Sequence, residues 1–260
     1  MHQQFAGRRN HAAILDVFRR TRLFAEVPAE AVERLASASM PKTYADGACI
    51  IRHGEPGFGL IMIAGGCIVT SRSKANGKCL IFDLGQPGQV MGTFAAFDGQ
   101  PSPLDNHARG ETHVVIVPYD EFRTAVRQFP DLAVSLIAMH TRRNRMDFER
   151  LMMALDTIRV RVAKVLLYMI RGTQMDTTQI VLPVKISQDD IAAMLGISRP
   201  SVNKELVRMA RENILVWHYN YVQVQEVSKL VTLASDEFSL SEDFERGLFA
   251  RSPRHFRTTD

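Results

Sequence analysis

Glycine is segregated in this chain: 12 of the 16 glycines fall between Gly47 and Gly110. No helix tolerates glycine at that density, whereas short antiparallel strands use it at every turn. The middle of the chain is therefore read as β-rich, and the flanks are left for helices. Within the glycine-rich stretch, residues 49–52, 60–63, 67–71, 79–84 and 112–117 are β-prone runs bounded by glycine or proline. Asn76-Gly77 sits between two of them and predicts a type I′ hairpin turn, because both of its central residues need positive φ. An antiparallel β roll or jelly roll follows.

The flanks carry helical periodicity. Pro28 sits where a first helical turn tolerates proline, and residues 29–36 place Val32, Leu35 and Ala36 on one side. After the roll, Tyr119-Asp120 opens a short helix through Arg127, and Pro130 opens a long one reaching about Leu155. In that helix Leu132, Met139, Met146 and Met153 recur every seven residues, with Leu136, Arg143 and Arg150 four after the first three. Such a repeat is a heptad seam interrupted by arginine. The expected dimer interface is Leu132, Leu136, Met139, Met146 and Met153; the alternative is that this stripe packs on its own β roll. Asp156-Thr157 then signals a new N-terminus, and residues 158–170 bury Val162, Val165, Leu166 and Met169. A polar loop at 172–176 and a β-prone run at 180–184 follow.

The densest pattern is KISQDDIAAMLGISRPSVNKELVRM at 185–209. Ser187 caps a helix over 188–195, with Ile191 and Leu195 inward and Ala192 leaving room for a close crossing. Gly196 supplies left-handed turn geometry, Ile197 plugs the angle, and Ser198 caps a second helix whose buried stripe is Val202, Leu206 and Met209. This is a helix-turn-helix. Its second helix exposes Arg199, Ser201, Asn203 and Lys204, with Arg208 one turn on. Arginine pairs bidentately with guanine and asparagine with adenine, while serine and lysine hold phosphates. Residues 214–225 alternate around a turn near Tyr219 and Asn220 and read as a β wing.

Charge agrees with a nucleic-acid partner. The chain is at +4; residues 1–155 carry 18 basic and 15 acidic groups, residues 156–225 carry 9 and 6, and residues 226–260 carry 5 and 7. The short block with the helix-turn-helix has the highest positive charge per residue. No window approaches the ~18 apolar residues of a membrane span, so no membrane association is expected. The first twenty residues lack a secretory signal, and Cys49, Cys67 and Cys79 form no CxxC pair, so a reducing cytoplasm is expected. Asp189-Asp190 are neighbours on a helix and point apart, which suits surface charges rather than an acid and base. GEPGFG at 54–59 is followed by no long helix, and no GxSxG, P-loop or HExxH occurs. No catalytic residue and no metal ligand set is assigned.

At this point the chain resembles the bacterial Crp/Fnr superfamily of transcription regulators. ISRPSVNKEL matches the family's recognition helix; LFAEVPAEAVERLA, GEPGFGLIMIAGGCIVT and GQVMGTFAAFDGQP match its N-terminal half in order and spacing. The resemblance covers about residues 20–230. It implies an α+β chain: an effector domain of cyclic-nucleotide-binding type at 20–129, a dimerisation helix at 130–155, a winged helix-turn-helix at 156–228 and a tail at 229–260. It further implies a homodimer on palindromic double-stranded DNA, with RNA polymerase as a further partner. Ser187, Gln188, Ser198, Arg199, Ser201, Asn203 and Lys204 are the DNA-binding set.

Departures from the family limit the ligand. After Gly92, Thr93 replaces the glutamate that holds a ribose, and PSPLDNHARG lacks the phosphate-binding arginine at its usual place. Cyclic AMP is therefore not expected, although a cyclic nucleotide is the ligand class of the family. Gly92, Thr93, Phe94, Arg109 and Arg145 are the residues assigned to the effector pocket. An iron–sulfur cluster is excluded by three scattered cysteines, and the eight histidines show no ligand spacing. Two other readings stay open: a regulator of this fold that acts without effector, and a binding module whose C-terminal domain contacts protein.

Overall fold

The predicted runs at 60–63 and 67–71 form one strand, Gly59–Ser73, in which Gly65 and Gly66 fall at irregularities of register rather than at a turn. The structure, a computed structural model, describes residues 2–170, 180–182, 185–218 and 221–235. It divides into two units, Met1–Arg145 and Met146–Asp260.

The first unit runs α1 (His2–Arg20), a 3-10 turn, α2 (Ala29–Ala38), β1 (Met40–Tyr44), β2 (Cys49–Ile51), β3 (Gly59–Ser73), β4 (Cys79–Gly85), β5 (Val90–Met91), α3 (Ala95–Asp98), β6 (Asp105–Pro118) and α4 (Tyr119–Gln128). It ends within α5 (Pro130–Met152). The sheet is antiparallel in the order β1-β6-β3-β4, with β2 on β6 and β5 on β3. Alternation along β3 and β6 sorts side chains into two cores. Ile61, Ile63, Val114 and Ile116 fill the roll with Tyr44, Ile50, Ile68 and Ala108. Leu60, Met62, Val115 and Val117 turn the other way, onto Phe18, Leu35, Phe122 and Leu132.

The second unit holds α6 (Ile158–Met169), β7 (Ile180–Val181), α7 (Gln188–Leu195), α8 (Arg199–Arg211), β8 (Leu215–His218), β9 (Tyr221–Val224) and α9 (Val227–Ser235). β7, β9 and β8 make a three-stranded antiparallel wing. The predicted wing turn at Tyr219 and Asn220, the loop at 172–176 and positions 183–184 lie outside the described residues. Thr157 caps α6 by accepting from the Val160 amide, as the sequence predicts. Among the described residues, no helix is long and apolar enough to cross a membrane.

Three expectations are corrected. The 76–77 hairpin is a three-residue loop: the Gly77 amide donates to the Lys74 carbonyl, the Lys74 amide donates to the Lys78 carbonyl, and Gly77 has φ +78°. Asn76 keeps negative φ, so one left-handed residue closes the turn where type I′ needs two. The effector domain starts before residue 20, because Ile14 and Phe18 of α1 are buried in its core. The helical domain extends past 228, because Leu230 and Ala234 of α9 are buried.

Candidate nucleic-acid interface and effector pocket

Ser187 and Asp190 form a reciprocal capping box at the start of α7: the Asp190 amide donates to the Ser187 hydroxyl at 3.1 Å, and the Ser187 amide donates to the Asp190 carboxylate at 2.8 Å. Gly196 ends α7 at φ +64°, a conformation glycine adopts without steric cost. Ser198 then caps α8, accepting from the Ser201 amide at 3.4 Å, and Pro200 sits in the first turn where its missing N–H costs little. Ile191, Ala192 and Leu195 of α7 are buried, as are Val202, Leu206 and Met209 of α8. The crossing is fixed by packing, so the opposite face of α8 is fixed too. That face exposes Arg199, Asn203, Lys204, Val207 and Arg208, with Ser201 half-buried.

The predicted DNA-binding residues converge on the N-terminal ends of α7 and α8. Gln188 donates its side-chain amide to Asn203 Oδ1 at 3.1 Å, and the Ser198 and Ser201 hydroxyls lie 2.8 Å apart. Arg199 faces Asp189 at 3.5 Å. The cations of this face, Arg199 and Lys204, stand on α8, while the first turn of α7 carries Asp189 and Asp190; an arginine and an asparagine are available for base edges. At the other end, Asn213 with φ +56° stops α8, and Arg159 of α6 holds Glu212 there. The Arg159 hydrogen bond keeps the Glu212 carboxyl below its ordinary value. The sequence offered no signal for Arg159, whose role depends on α6 lying beside α8.

The effector residues are brought together only in part. Gly92 takes φ +81°, and a Cβ there would lie 2.5 Å from the Gly59 carbonyl oxygen, so the backbones need glycine. Thr93 is 1% exposed and its hydroxyl has no hydrogen-bond partner. Phe94 is exposed, with its ring 5.6 Å from His140 of α5. Arg143 donates to the Val90 carbonyl at 2.5 Å. Burial, then the Arg143 charge, lowers His140 from the ordinary imidazole value. Arg109, by contrast, pairs with Cys67 while Met91 pairs with Ile61. Those partners stand apart along β3, so the Arg109 backbone lies at a different part of the sheet from Met91. Arg145 lies on α5, the helix from which His140 meets the Phe94 ring and Arg143 meets the Val90 carbonyl.

The expected dimer stripe is corrected as well. Leu132 has no exposed surface, Leu136 is buried and Met139 packs against them in the first unit's own core, so the self-packing alternative holds for these three. Met146 and Met153 are half-buried. Along α5 and the turn that follows it, a different stripe is exposed: Val134 63%, Ile137 66%, Phe148 65%, Leu151 72% and Leu155 74%. With exposed Thr141 and Asn144 between them, their spacing alternates three and four, the pattern of a helix that pairs with another helix.

Comparison with known proteins places these features. Residues 41–129 match the cyclic nucleotide-binding domain and residues 160–233 match the Crp-like helix-turn-helix domain. The chain is 25% identical over 220 residues to the CRP-like cAMP-activated global transcriptional regulator of Mycobacterium tuberculosis, covering 84% of this chain and 95% of that one. It is 26% identical over 214 residues to the cyclic AMP receptor protein of Thermus thermophilus, covering 82% and 96%. FixK2 from Bradyrhizobium japonicum shares the fold, with a TM-score of 0.67 at 23% identity over 76% of this chain and 98% of that one.

Proposed function

The chain belongs to the Crp/Fnr superfamily of bacterial transcription regulators, and on that premise we propose that it binds a palindromic operator as a homodimer under control of an effector other than cyclic AMP. The observation that carries the reading is the exposed N-terminal face of α8. There Arg199, Asn203 and Lys204 stand on a helix whose buried stripe and serine cap leave that face one orientation. Arg199 reads guanine, Asn203 reads adenine, and Lys204 with Ser187, Ser198 and Ser201 holds phosphate. Pro200 stands where some members of the family carry a glutamate that reads cytosine, so the operator differs at that base.

Two copies joined along the exposed stripe of α5 present two such faces, which is what a two-fold operator requires. The effector reading rests on Gly92–Phe94. Thr93 offers a buried, unpartnered hydroxyl and no carboxylate, and PSPLDNHARG at 101–110 has no arginine at the place where the family carries one for phosphate. A second reading, activity without effector, is favoured by the Arg143 to Val90 hydrogen bond, which ties α5 to the roll with the protein's own side chains.

The test is selection of bound sequences from random DNA by the full chain, alone, with cyclic AMP and with cell metabolite extract. A two-fold operator indifferent to cyclic AMP is expected, and equal selection with and without extract decides for the effector-independent reading. Arg199→Ala should cost about 1–3 kcal/mol per half-site and relax one position, whereas Lys204→Ala should weaken all sequences alike and lower the salt slope by about one. Unchanged affinity and base preference in Arg199→Ala would overturn the assignment.

A further inference from the structure

Asp189 poses a question that its place in the fold sharpens. It is an exposed carboxylate at the start of α7, on the face proposed to meet phosphates, where a negative charge weakens binding to any DNA. Helix capping does not explain it, because the neighbouring Asp190 makes the capping box with Ser187. Fold stability explains only part of it: an acid in a first helical turn gains modestly from the helix dipole, at any position of that turn. The Asp189 and Arg199 side chains are 66% and 63% exposed, and an ion pair so open to water contributes little to stability. Its contact is with the one arginine on α8 assigned to a base edge, Asp189 Oδ2 lying 3.5 Å from Arg199 Nη1.

We infer that Asp189 is a positioning residue that sets the base specificity of Arg199; the inference rests on the reading of α8 as the recognition helix. Arg199 is the first residue of α8, and a long side chain at a helix end has many rotamers to choose from. A carboxylate on one Nη narrows that choice and leaves N–H groups on both terminal nitrogens for guanine O6 and N7. Without it, Arg199 can swing to the phosphate backbone, where it binds every sequence alike. Asp189 thus trades affinity for discrimination. Gln188 does the equivalent for Asn203, its amide donating to Oδ1 and so fixing which end of the asparagine amide is the donor. The first turn of α7 is in this sense a preset for both readers on α8.

The experiment measures binding of the full chain to its selected operator, to the operator altered at the Arg199-dependent base pair, and to random duplex, by fluorescence anisotropy. Asp189→Asn should bind random duplex several-fold more tightly while its preference at that base pair falls about tenfold, as loosening a bidentate arginine contact predicts. Asp189→Glu, which keeps the charge, should retain most of the preference. In an Arg199→Ala background, Asp189→Asn should change the preference no further. Thermal melting of each variant accounts for any loss of helix stability. If Asp189→Asn keeps the wild-type preference while Arg199→Ala loses it, the positioning role is wrong and the recognition helix stands. If Arg199→Ala also keeps it, the recognition helix itself is wrong and the inference falls with it.

Discussion

At the scale of single residues, two glycines with almost the same φ carry different constraints. Gly92 and Gly77 have φ +81° and +78°, but a Cβ at Gly92 would lie 2.5 Å from the Gly59 carbonyl oxygen, while at Gly77 nothing lies within 4 Å. Gly77→Ala should therefore cost only the left-handed backbone strain, about 1 kcal/mol, and Gly92→Ala should cost at least about 2 kcal/mol more, because backbone must move. Urea unfolding midpoints of the two variants check this, and equal losses would contradict it. The contrast matters to function because Gly92 aims the next two residues. Thr93 is turned into the interior and Phe94 outward toward His140. Glycine's use here was legible in the sequence as a family position, but the close approach of Gly59 was not.

At the scale of elements, α8 is held at both ends. Ser198 fixes its start, and at its finish Glu212 accepts from Arg159 and from Arg208. The Arg159 hydrogen bond is the main cause of the lowered Glu212 pKa, with burial opposing it and the two arginine charges adding to it. A carboxyl whose folded value lies below its ordinary 4.5 stabilises the fold above that pH and loses the contribution as pH falls through the folded value. Melting temperatures of the wild type and Glu212→Gln should therefore differ above pH 4.5 and converge as the solution is acidified below it. A gap that is unchanged on acidification would show that Arg159 does not stabilise the charged form. Arg159 also faces Glu205 at 3.9 Å, with both side chains largely covered. α8 thus meets α6 through charge as well as through its apolar stripe.

At the scale of the whole molecule, the proposed assembly turns on which face of α5 is free. Two apolar stripes run along this helix. The one containing Leu132, Leu136 and Met139 is consumed by the first unit's core, and the one containing Val134, Ile137, Phe148 and Leu151 is exposed. Ile137→Glu combined with Leu151→Glu should give monomers that melt near the wild type and have lost tight operator binding. Met139→Glu should lower the melting temperature while the chain stays a dimer. Sedimentation and thermal melting separate the two outcomes; a dimer that survives the double substitution would contradict the proposed seam.

What the sequence determined by itself is what short-range physics encodes. Glycine density located the β roll, seven-residue spacing marked one apolar stripe along α5, and the Ser187, Gly196 and Ser198 caps with their apolar stripes drew the helix-turn-helix almost to the residue. Tertiary structure decided the rest, because it concerns residues far apart in the chain. Periodicity says that a helix has an apolar face but not what covers it, so only the packing showed that Leu132, Leu136 and Met139 belong to the first unit's own core. Strand register set Arg109 opposite Cys67, and α5 brought His140 to Phe94 and Arg143 to Val90. The pairing of Asp189 with Arg199 spans α7 and α8 and exists only once both are packed, which is why two adjacent aspartates read as plain surface charge along the chain.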